Sequence, residues 1–530
     1  MTKAIYYLFI QFILVQVLFS QRNTILVIAD DLSPDYLGFY NESVDTANTP
    51  NIRALAKNGV VFTKAWGSPL CSVTRAGMLT GKFPFRTGIG AVITGSNSPQ
   101  IDSTELTVAK LLKYYAPSKY NTACIGKWHL TLAQPNKFST PNRCGFDLYS
   151  GNFNGAITDY YNYQVITNSV TQTVTTYATT KTIDDAINWL DTISNNNPFF
   201  LWLAFNAPHT PLHVPPSNLT TVSGLTGTTI DINNNPDKYF KAALEALDTE
   251  LGRLLQFLTT NNLLQNTDIV FIGDNGNDIR VSQNPNKYKS KNTLYDYGVR
   301  VPMIVSGPSV INPNRFCNEI VSTTDLFATI LEMNGVLNWI NYIPQSKRPI
   351  DSKSFLSVIK NINDYQRNWI FTQKFTVPVD TNDGSTIRNS NYHLMRLNDG
   401  TEEFYNHTND VFENTNLLNT NMTITDVANY HQLCDSLYSL IGGLVCLNVS
   451  VSEINSDQII KIYPNPVEAK IEILMNDEID NISIVDVTGK ELIKVGQSNI
   501  IDVSVLQSGF YFVLVETKYH SYKISKFIKK

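Results

Sequence analysis

Several apolar runs in the sequence share one arrangement, in which a buried strand ends in polar residues. Such runs occupy Thr24–Ala29, Tyr120–Ile125, Phe199–Phe205 and Asp268–Gly273. A continuous apolar, partly β-branched run is typical of a strand covered on both faces, as in a parallel sheet. Stretches with helical periodicity lie between them, at Thr49–Gly59, Thr104–Tyr115, Lys181–Ile193 and Asp237–Leu258. This alternation predicts an α/β sandwich with a mostly parallel central sheet.

Polar side chains that can bind metals or carry protons follow the ends of these strands. They are Asp30, Asp31, Lys127, His129, His209, Asp274 and Asn275. Ligands bind at the carboxyl ends of the strands in an open α/β sheet, so we expect these side chains to converge at one edge. The adjacent carboxylates Asp30 and Asp31 suit a hard cation such as Ca²⁺ or Mg²⁺. The alternative for this pair is an aspartate that caps the next turn, which is common.

A cysteine lies just before a stretch that can begin a helix, in the segment 68–81 (SPLCSVTRAGMLTG). Ser72 and Thr74 are of the residue types that cap helices, and Arg75–Leu79 are mostly helix formers. Cys71 would therefore lie in the positive field of a helix N-terminus, near free backbone N–H groups. This environment favours an anion. The segment predicts that Cys71 is at the centre of the chemistry.

Length and composition limit the classes of protein that this chain can be. Its 530 residues predict a small number of domains, and a net charge of -5 argues against a general nucleic-acid-binding protein. Lys3 precedes an apolar run, Ala4–Phe19, that ends before Ser20. The run is shorter than the ~20 residues of a membrane-spanning helix, so it predicts a secretory signal peptide over residues 1–20. Export allows disulfides, and Cys434 and Cys446 are close enough in sequence to pair.

The texture of the sequence changes toward its C-terminus. Residues 21–368 form the predicted α/β domain. Short strand-like runs begin near Trp369, and a helix follows at Thr425–Leu440, which predicts a small antiparallel subdomain over residues 369–449. A polar linker covers residues 450–458. Residues 459–530 are nearly all short strands and predict a terminal all-β module.

Seven motifs occur in the order found in the formylglycine-dependent sulfatases of the alkaline phosphatase superfamily, and the chain resembles that family over residues 23–419. The motifs are 28–31 (IADD), 49–52 (TPNI), 71–81 (CSVTRAGMLTG), 126–129 (GKWH), 208–211 (PHTP), 273–276 (GDNG), and 291–295 (KNTLY) with 298–302 (GVRVP). Each motif alone is a modest signal, but seven in order are specific. The resemblance implies an alkaline-phosphatase-like sandwich and a sulfuric ester hydrolase.

The resemblance also implies a role for each matching side chain. In such enzymes the cysteine that matches Cys71 is oxidised to formylglycine (3-oxoalanine), and its hydrate attacks the sulfur of a sulfate ester. His129 would assist at the formylglycine hydroxyl, and His209 would protonate the leaving oxygen. Lys127 and Lys291 would hold the sulfate oxygens, where charge develops in the transition state.

A metal and two kinds of partner follow from the same resemblance. One Ca²⁺ would be bound by an all-oxygen set made of residue 71, Asp30, Asp31, Asp274 and Asn275. Arg75 would hold the formylglycine and this metal environment in place. A formylglycine-generating maturation enzyme would read the segment around Cys71, and the substrate would be a sulfated carbohydrate.

The chain departs from the family pattern at two places, and other functions are weighed against the sulfatase. The modification motif usually has Pro and then Ser where this chain has Val73 and Thr74. A protein in which Cys71 stays unconverted would be a non-enzymatic glycan binder. A phosphatase or phosphodiesterase of the same superfamily would use two zinc ions, for which the site lacks His and Asp ligands. Asp296 and Tyr297 also replace a common Glu–Gly pair near the expected substrate pocket.

The last seventy residues resemble the C-terminal sorting domain of the type IX secretion system of Bacteroidetes. The resemblance rests on residues 462–466 (IYPNP), 485–490 (VDVTGK), 501–504 (IDVS) and 509–511 (GFY). It implies that the type IX secretion machinery carries the protein from the periplasm across the outer membrane, to be secreted or held at the cell surface. A carbohydrate-binding β-sandwich is the alternative. A Bacteroidetes source suggests algal polysaccharides such as ulvan, carrageenan or fucoidan as substrates.

Overall fold

The computed structural model describes most of the chain. The described residues are 22–193, 197–362, 364–365, 367–381, 383–442, 446–447, 449, 460–475, 478–486, 490–518 and 522–530. The predicted signal peptide and the predicted linker at 450–458 lie outside these residues. The chain divides into two compact units, Met1–Thr401 and Glu402–Lys530. Within the described residues, no helix is both long enough and apolar enough to cross a bilayer.

A ten-stranded sheet forms the centre of the first unit. Its strands in chain order are β1 (Asn23–Ala29), β2 (Gly59–Trp66), β3 (Asn121–Gly126), β4 (Leu148–Gly151), β5 (Tyr163–Thr167), β6 (Val170–Val174), β7 (Phe199–Ala204), β8 (Thr267–Gly273), β9 (Met303–Ser306) and β10 (Arg315–Ser322). Across the sheet the order is β10-β2-β9-β8-β1-β7-β3-β4-β5-β6. The neighbours β8, β1, β7, β3 and β4 are all parallel. The predicted parallel core is confirmed, with β9 inserted antiparallel between β2 and β8 and an antiparallel extension through β5 and β6.

Helices cover both faces of this sheet. They are α1 (Pro50–Lys57), α2 (Cys71–Thr80), α3 (Pro84–Thr87), α4 (Val108–Tyr115), α5 (Thr140–Arg143), α6 (Ala178–Thr192), α7 (Thr229–Asn234), α8 (Pro236–Thr260), α9 (Asp296–Val299), α10 (Leu326–Met333) and α11 (Leu356–Ile359). Alternate residues of β1 belong to two different cores: Leu26 and Ile28 pack with α2, α4 and α10, whereas Ile25 and Val27 pack with α1, α6 and α8. The sheet is therefore the middle layer of a three-layer sandwich.

One predicted helix starts later in the structure than its periodicity suggests. The prediction placed the start at Thr104, but α4 begins at Val108. Asp102 accepts hydrogen bonds from the backbone N–H and the hydroxyl of Thr104, which holds this residue in a turn. Thr107 then accepts the N–H of Lys110 as the helix cap. A local aspartate turn thus competes with the first helical turn, as short polar side chains often do.

Antiparallel strands complete the first unit. They are β11 (Ile370–Lys374), β12 (Gly384–Arg388) and β13 (Tyr392–Leu397), paired in that order. Arg388 on β12 and Trp66 at the end of β2 both donate to the Asp296 carboxylate. Arg300 bonds the same carboxylate. Asp296, which we expected near a substrate pocket, is instead buried. Its carboxylate joins the small sheet to the central one.

The second unit contains the remaining elements. Its first part has β14 (Glu402–Asn406) and α12 (Ile424–Ile441), and Cys434 on α12 is disulfide-bonded to Cys446, as its spacing had suggested. The later strands are β15 (Lys461–Tyr463), β16 (Lys470–Leu474), β17 (Ile479–Val485), β18 (Glu491–Val495), β19 (Ile500–Asp502), β20 (Gly509–Thr517) and β21 (Tyr522–Lys529). They form two antiparallel sheets, β15-β16-β19 and β18-β17-β20-β21, around one apolar core. The predicted terminal all-β module is confirmed.

Helix α1 is capped by a carboxylate from another helix. Asp248 of α8 accepts the backbone N–H groups of Asn51 and Ile52 at distances of 3.1 and 2.7 Å. Thr49, the residue in the cap position, makes no side-chain cap bond. Burial raises the pKa of the Asp248 carboxyl to about 6, although these N–H groups oppose the rise. The cap therefore joins α1 to α8, and it does so through a carboxyl group that is buried and titratable.

We expect the substitution Asp248→Asn to change how stability depends on pH. The pKa of Asp248 is higher in the folded protein than its ordinary value of 3.8, so its contribution to stability is present below about pH 4 and is lost as the pH rises through about 6. The free energy of unfolding of the wild type should therefore fall relative to that of the variant over this range. Urea titrations of both proteins between about pH 4 and 7 measure the difference. A difference that stays constant with pH would contradict the assignment.

Candidate active site

All the side chains singled out from the sequence meet at the carboxyl edge of four adjacent strands. Asp30 follows β1, Lys127 follows β3, His209 follows β7 and Asp274 follows β8. Helix α2 brings Cys71 and Arg75 to the same place. The enclosed members are 3% exposed or less, namely Asp30, Asp31, Cys71, Arg75, Lys127, His129, Asp274 and Asn275. The side chains of His209 and Lys291 are 13% and 15% exposed, so these two lie at the entrance.

Cys71 is the first residue of α2, and its side chain faces His129. Its Sγ lies 3.1 Å from Nδ1 of His129, and the hydroxyl of the next residue, Ser72, donates to the backbone oxygen of His129. Burial raises the pKa of the Cys71 thiol, and the charges of Lys127 and Lys291 only partly offset the rise. A thiol held protonated in this way is a poor nucleophile.

His129 has a backbone conformation that few residues other than glycine adopt, with φ at 52°. Its ring lies against Gly155, where a Cβ atom would come within 2.5 Å of Cε1. Burial lowers the pKa of His129 well below its usual value, and the charges of Lys127 and Arg75 lower it further. The imidazole is therefore neutral and can accept a proton from whatever group residue 71 carries.

Arg75 ties three segments of the site together. Its Nε and Nη2 donate to Oδ2 of Asp274 at 3.1 and 2.8 Å, and its Nη1 donates to the backbone oxygen of Lys127 at 2.9 Å. Asp274 also accepts the backbone N–H of Asp31 at 3.0 Å. Although burial opposes it, the charge of Arg75 helps to hold the pKa of Asp274 below its usual value. Asp274 is therefore ionised, and both partners of this pair are fully buried.

Two further carboxylates pair with the remaining cations. Lys127 Nζ lies 2.5 Å from Oδ2 of Asp30, and Lys291 Nζ lies 2.6 Å from Oδ1 of Asp31. His209 Nε2 is 3.5 Å from Oδ2 of Asp31. Burial would raise the pKa of Asp31, but the charges of His209 and Lys291 outweigh it and the pKa is lowered. At Asp30 burial dominates and raises the pKa despite Lys127. Three carboxylates thus lie against three basic groups, namely Arg75, Lys127 and Lys291.

Two buried oxygens in this cluster have no hydrogen-bond partner among the described residues. They are Oδ1 of Asp30 and Oδ1 of Asn275. Ligand atoms of Asp30, Cys71 and Asp274 lie within 4.8 Å of one another. A buried oxygen without a partner is costly, and a bound cation would satisfy both. Carboxylate and amide oxygens are the ligands of a hard cation, so the donor set fits Ca²⁺.

Two contacts that shape the site, those of Thr74 and Gly155, were not predicted from the sequence. The hydroxyl of Thr74 donates to the backbone oxygen of Asp274 and accepts the N–H of Ser68, so it links α2 to both neighbouring segments. Gly155 leaves room for the His129 ring. Thr74 was noted in the sequence only as a helix-capping residue type and as a departure from the family motif, whereas nothing near Gly155 indicates its contact. Tyr297, expected near a substrate pocket, is buried and bonds Asp35.

Comparison with known proteins identifies the family. Residues 22–336 match the family model described as Sulfatase, which is more than half of the 530 residues. The chain belongs to the sulfatase family. Residues 286–439 of this sulfatase-family protein match the model for the C-terminal part of N-sulphoglucosamine sulphohydrolase. Residues 461–530 match the secretion system C-terminal sorting domain, which confirms the second resemblance.

Individual relatives are distant in sequence but similar in fold. The human N-acetylgalactosamine-6-sulfatase is 26% identical over 366 residues, which are 64% of this chain and 65% of that protein. The match thus spans less than two thirds of that relative. The ulvan-active sulfatase of Formosa agariphila is 25% identical over 425 residues, which are 75% of this chain and 77% of that protein. The crystal structure of Ps i-CgsB in complex with k-i-k-neocarrahexaose is 25% identical, with a TM-score of 0.67 over 79% of this chain and 92% of that chain.

The substitution Arg75→Met should strongly destabilise this sulfatase-family protein. It leaves the buried carboxylate of Asp274 without its ion-pair partner, and we expect the free energy of unfolding to fall by about 3–5 kcal/mol. Arg280→Met is the matched control, because the Arg280 side chain is 50% exposed and its partner Asp278 is also partly exposed. Its loss should stay below about 1 kcal/mol. Urea denaturation in the presence of a chelator measures both values, and similar losses for the two variants would argue against the buried pair.

Proposed function

We propose that this protein is a secreted sulfatase that hydrolyses sulfate esters on sulfated polysaccharides or their oligosaccharides, with a formylglycine at position 71 and one bound Ca²⁺. The observation that carries the proposal is the position of Cys71. It lies at the N-terminus of α2, in contact with His129, and close enough to Lys127 and Lys291 for their charges to act on its thiol. The family match supports the same reaction class.

The charge of the cluster suits an anionic substrate once the metal is present. Asp30, Asp31, Asp274 and Asn275, together with the oxygen of a modified residue 71, would hold the Ca²⁺. A divalent cation would add positive charge to a cluster in which three carboxylates already face three basic groups. A sulfate group that enters past His209 and Lys291 would therefore be attracted to it.

The chain's own residues have distinct tasks in this proposal. A formylglycine at position 71 would supply a hydrated aldehyde as the nucleophile, and Ca²⁺ would supply positive charge beside it. Neutral His129 would accept the proton of the residue-71 hydroxyl. An ammonium has three donors, and Lys127 and Lys291 each use at least one on a carboxylate, which leaves others for sulfate oxygens.

His209 is suited to protonate the leaving oxygen. Its Nδ1 lies 2.7 Å from the backbone oxygen of Thr210, so this nitrogen carries a hydrogen that it donates to that oxygen. In the imidazolium the second proton is on Nε2, which faces Asp31 and the entrance. An imidazolium oriented in this way presents an acidic N–H to the group that departs.

The alternative of a two-zinc phosphatase is less well supported. Within the described part of the chain, His129 and His209 are the histidines of the cluster, and His129 is hydrogen-bonded to Cys71. Two zinc ions with three or four ligands each would need more nitrogen ligands than these. The oxygen-rich donor set agrees better with a single site for a hard cation than with two zinc ions.

Substrate, domain bounds and location extend the proposal. The ulvan-active relative and the carrageenan-oligosaccharide complex support a sulfated algal polysaccharide as substrate. The sorting-domain match supports passage through the type IX secretion machinery. The proposed signal peptide at residues 1–20 rests on the apolar run Ala4–Phe19. We retain 21–368 as the catalytic domain, 369–449 as the antiparallel subdomain, 450–458 as the linker and 459–530 as the sorting domain. A formylglycine-generating enzyme would be the maturation partner.

Sulfate release tests the function directly. Protein coexpressed with a formylglycine-generating enzyme should release inorganic sulfate from oligosaccharides of ulvan, carrageenan or fucoidan, and Cys71→Ala should abolish the release because it removes the nucleophile. Mass spectrometry of the peptide around residue 71 should show the aldehyde in place of the thiol. An unmodified thiol after such coexpression would favour the glycan binder, and two equivalents of bound zinc would favour the phosphatase.

Calcium binding has its own readout, which needs no turnover. Added Ca²⁺ should raise the melting temperature and bind with a stoichiometry of one in calorimetry, since it stabilises the folded state alone. Asn275→Ala should weaken the binding about 10-fold or more, because even changes to residues that only orient metal ligands cost about 10–100-fold in metal affinity. Asn121→Ala, at the opposite end of β3 from Lys127, is the control and should bind as the wild type does. Equal affinities of the three proteins would exclude Asn275 as a ligand.

A further inference from the structure

The segment that carries His209 is attached to a buried tyrosine that none of the family motifs includes. We propose that Tyr160 positions His209 as the proton donor to the leaving oxygen, because its one hydroxyl hydrogen is shared between backbone oxygens at the two ends of the turn that presents His209. This inference rests on the proposed sulfatase function. Tyr160 is a positioning residue, because it acts on the backbone of His209 and not on the substrate.

The tyrosine hydroxyl reaches both ends of the turn. Tyr160 Oη lies 2.8 Å from the backbone oxygen of Asn206 and 2.7 Å from that of His209. The turn itself is closed by the N–H of His209, which donates to the Asn206 oxygen at 3.0 Å. Tyr160 is 1% exposed, so these bonds are shielded from water. Buried hydrogen bonds of this kind hold a backbone in one arrangement more firmly than solvated ones.

A second contact fixes the ring of Tyr160 itself. It stacks on the imidazole of His213, with the ring centroids 3.7 Å apart. The Nδ1 of His213 is 2.9 Å from the backbone oxygen of Pro211, and its Nε2 is 2.9 Å from the hydroxyl of Tyr177. The imidazole is thus held at both nitrogens. Tyr160 therefore connects the residues before and after His209 to one rigid aromatic group.

Position matters for a group that transfers a proton in the transition state. His209 has its Nδ1 bound to the Thr210 oxygen and its Nε2 directed to the entrance, so a shift of the backbone rotates Nε2 away from the leaving oxygen. A small displacement of a general acid lowers the rate steeply, because transfer requires hydrogen-bond distance. The effect is confined to substrates whose leaving group needs the proton.

The substitution Tyr160→Phe removes the hydroxyl and keeps the ring that stacks on His213. We expect kcat for an alkyl sulfate of a sugar to fall about 10-fold, because an alkoxide leaves slowly without protonation. For an aryl sulfate such as 4-nitrophenyl sulfate, whose phenolate leaves unassisted, kcat should change less than about 3-fold. KM should stay near the wild-type value for both. A purely structural loss would lower both rates alike.

Tyr161→Phe is the matched control. Its hydroxyl also donates to a backbone oxygen of this loop, that of Val214, but Tyr161 is 39% exposed and lies beyond the His209 turn. This variant should retain wild-type rates on both substrates. Melting temperatures of both variants establish that they are folded. Equal losses on the two substrates, no loss at all, or the same selective loss in Tyr161→Phe would each overturn the proposal.

A readout without turnover separates this inference from the proposed function. If the wild type hydrolyses neither sulfate, the sulfatase proposal fails, yet the placement of His209 can still be measured. The ring ¹⁵N signals of histidine-labelled protein, with His209 assigned by the variant His209→Gln, should shift in Tyr160→Phe and stay in place in Tyr161→Phe. An unchanged His209 signal in Tyr160→Phe would overturn the positioning role whether or not the protein is active.

Discussion

The buried ion pair between Arg75 and Asp274 is the interaction on which the site depends. It joins helix α2 to the loop after β8, and the same guanidinium reaches the loop after β3 through the Lys127 oxygen. Removing two charges from water is expensive, and only an arrangement with several hydrogen bonds to each partner compensates for it. Here Arg75 uses three nitrogens and Asp274 both carboxylate oxygens. The pair therefore fixes where residue 71 lies relative to the strand ends.

The central sheet explains why these groups can meet at all. Four parallel neighbours, β8, β1, β7 and β3, end at one edge, and each is followed by a polar loop that turns over that edge. Apolar layers on both faces hold the strands in register. Carboxylates and basic groups are thus concentrated where water is scarce, so each affects the pKa of the others. A rigid apolar frame with a polar edge is what allows opposite charges to be buried together.

Much of this arrangement could be predicted from the sequence, because the ends of apolar runs mark the ends of buried strands. Asp30, Lys127, His209 and Asp274 each follow an apolar run, and the parallel sheet turns that regularity into proximity. The disulfide of α12 was suggested by its spacing, but pairing depends on the approach of two chain segments. Contacts that cross between distant loops left no local signal. The contact of Gly155 with the His129 ring and that of the Tyr160 hydroxyl with the His209 turn are examples, because both depend on how distant loops meet in the fold.

The complete burial of α2 limits when residue 71 can be modified. All ten of its residues are buried, and the N–H of Val73 donates to the Leu70 oxygen. A maturation enzyme therefore cannot bind this segment in the folded protein. If residue 71 is converted as we propose, the conversion must come before the sandwich closes. Folding and maturation then compete for the same newly made chain. A chain that folded before the maturation enzyme recognised this segment would remain correctly folded, unconverted and inactive.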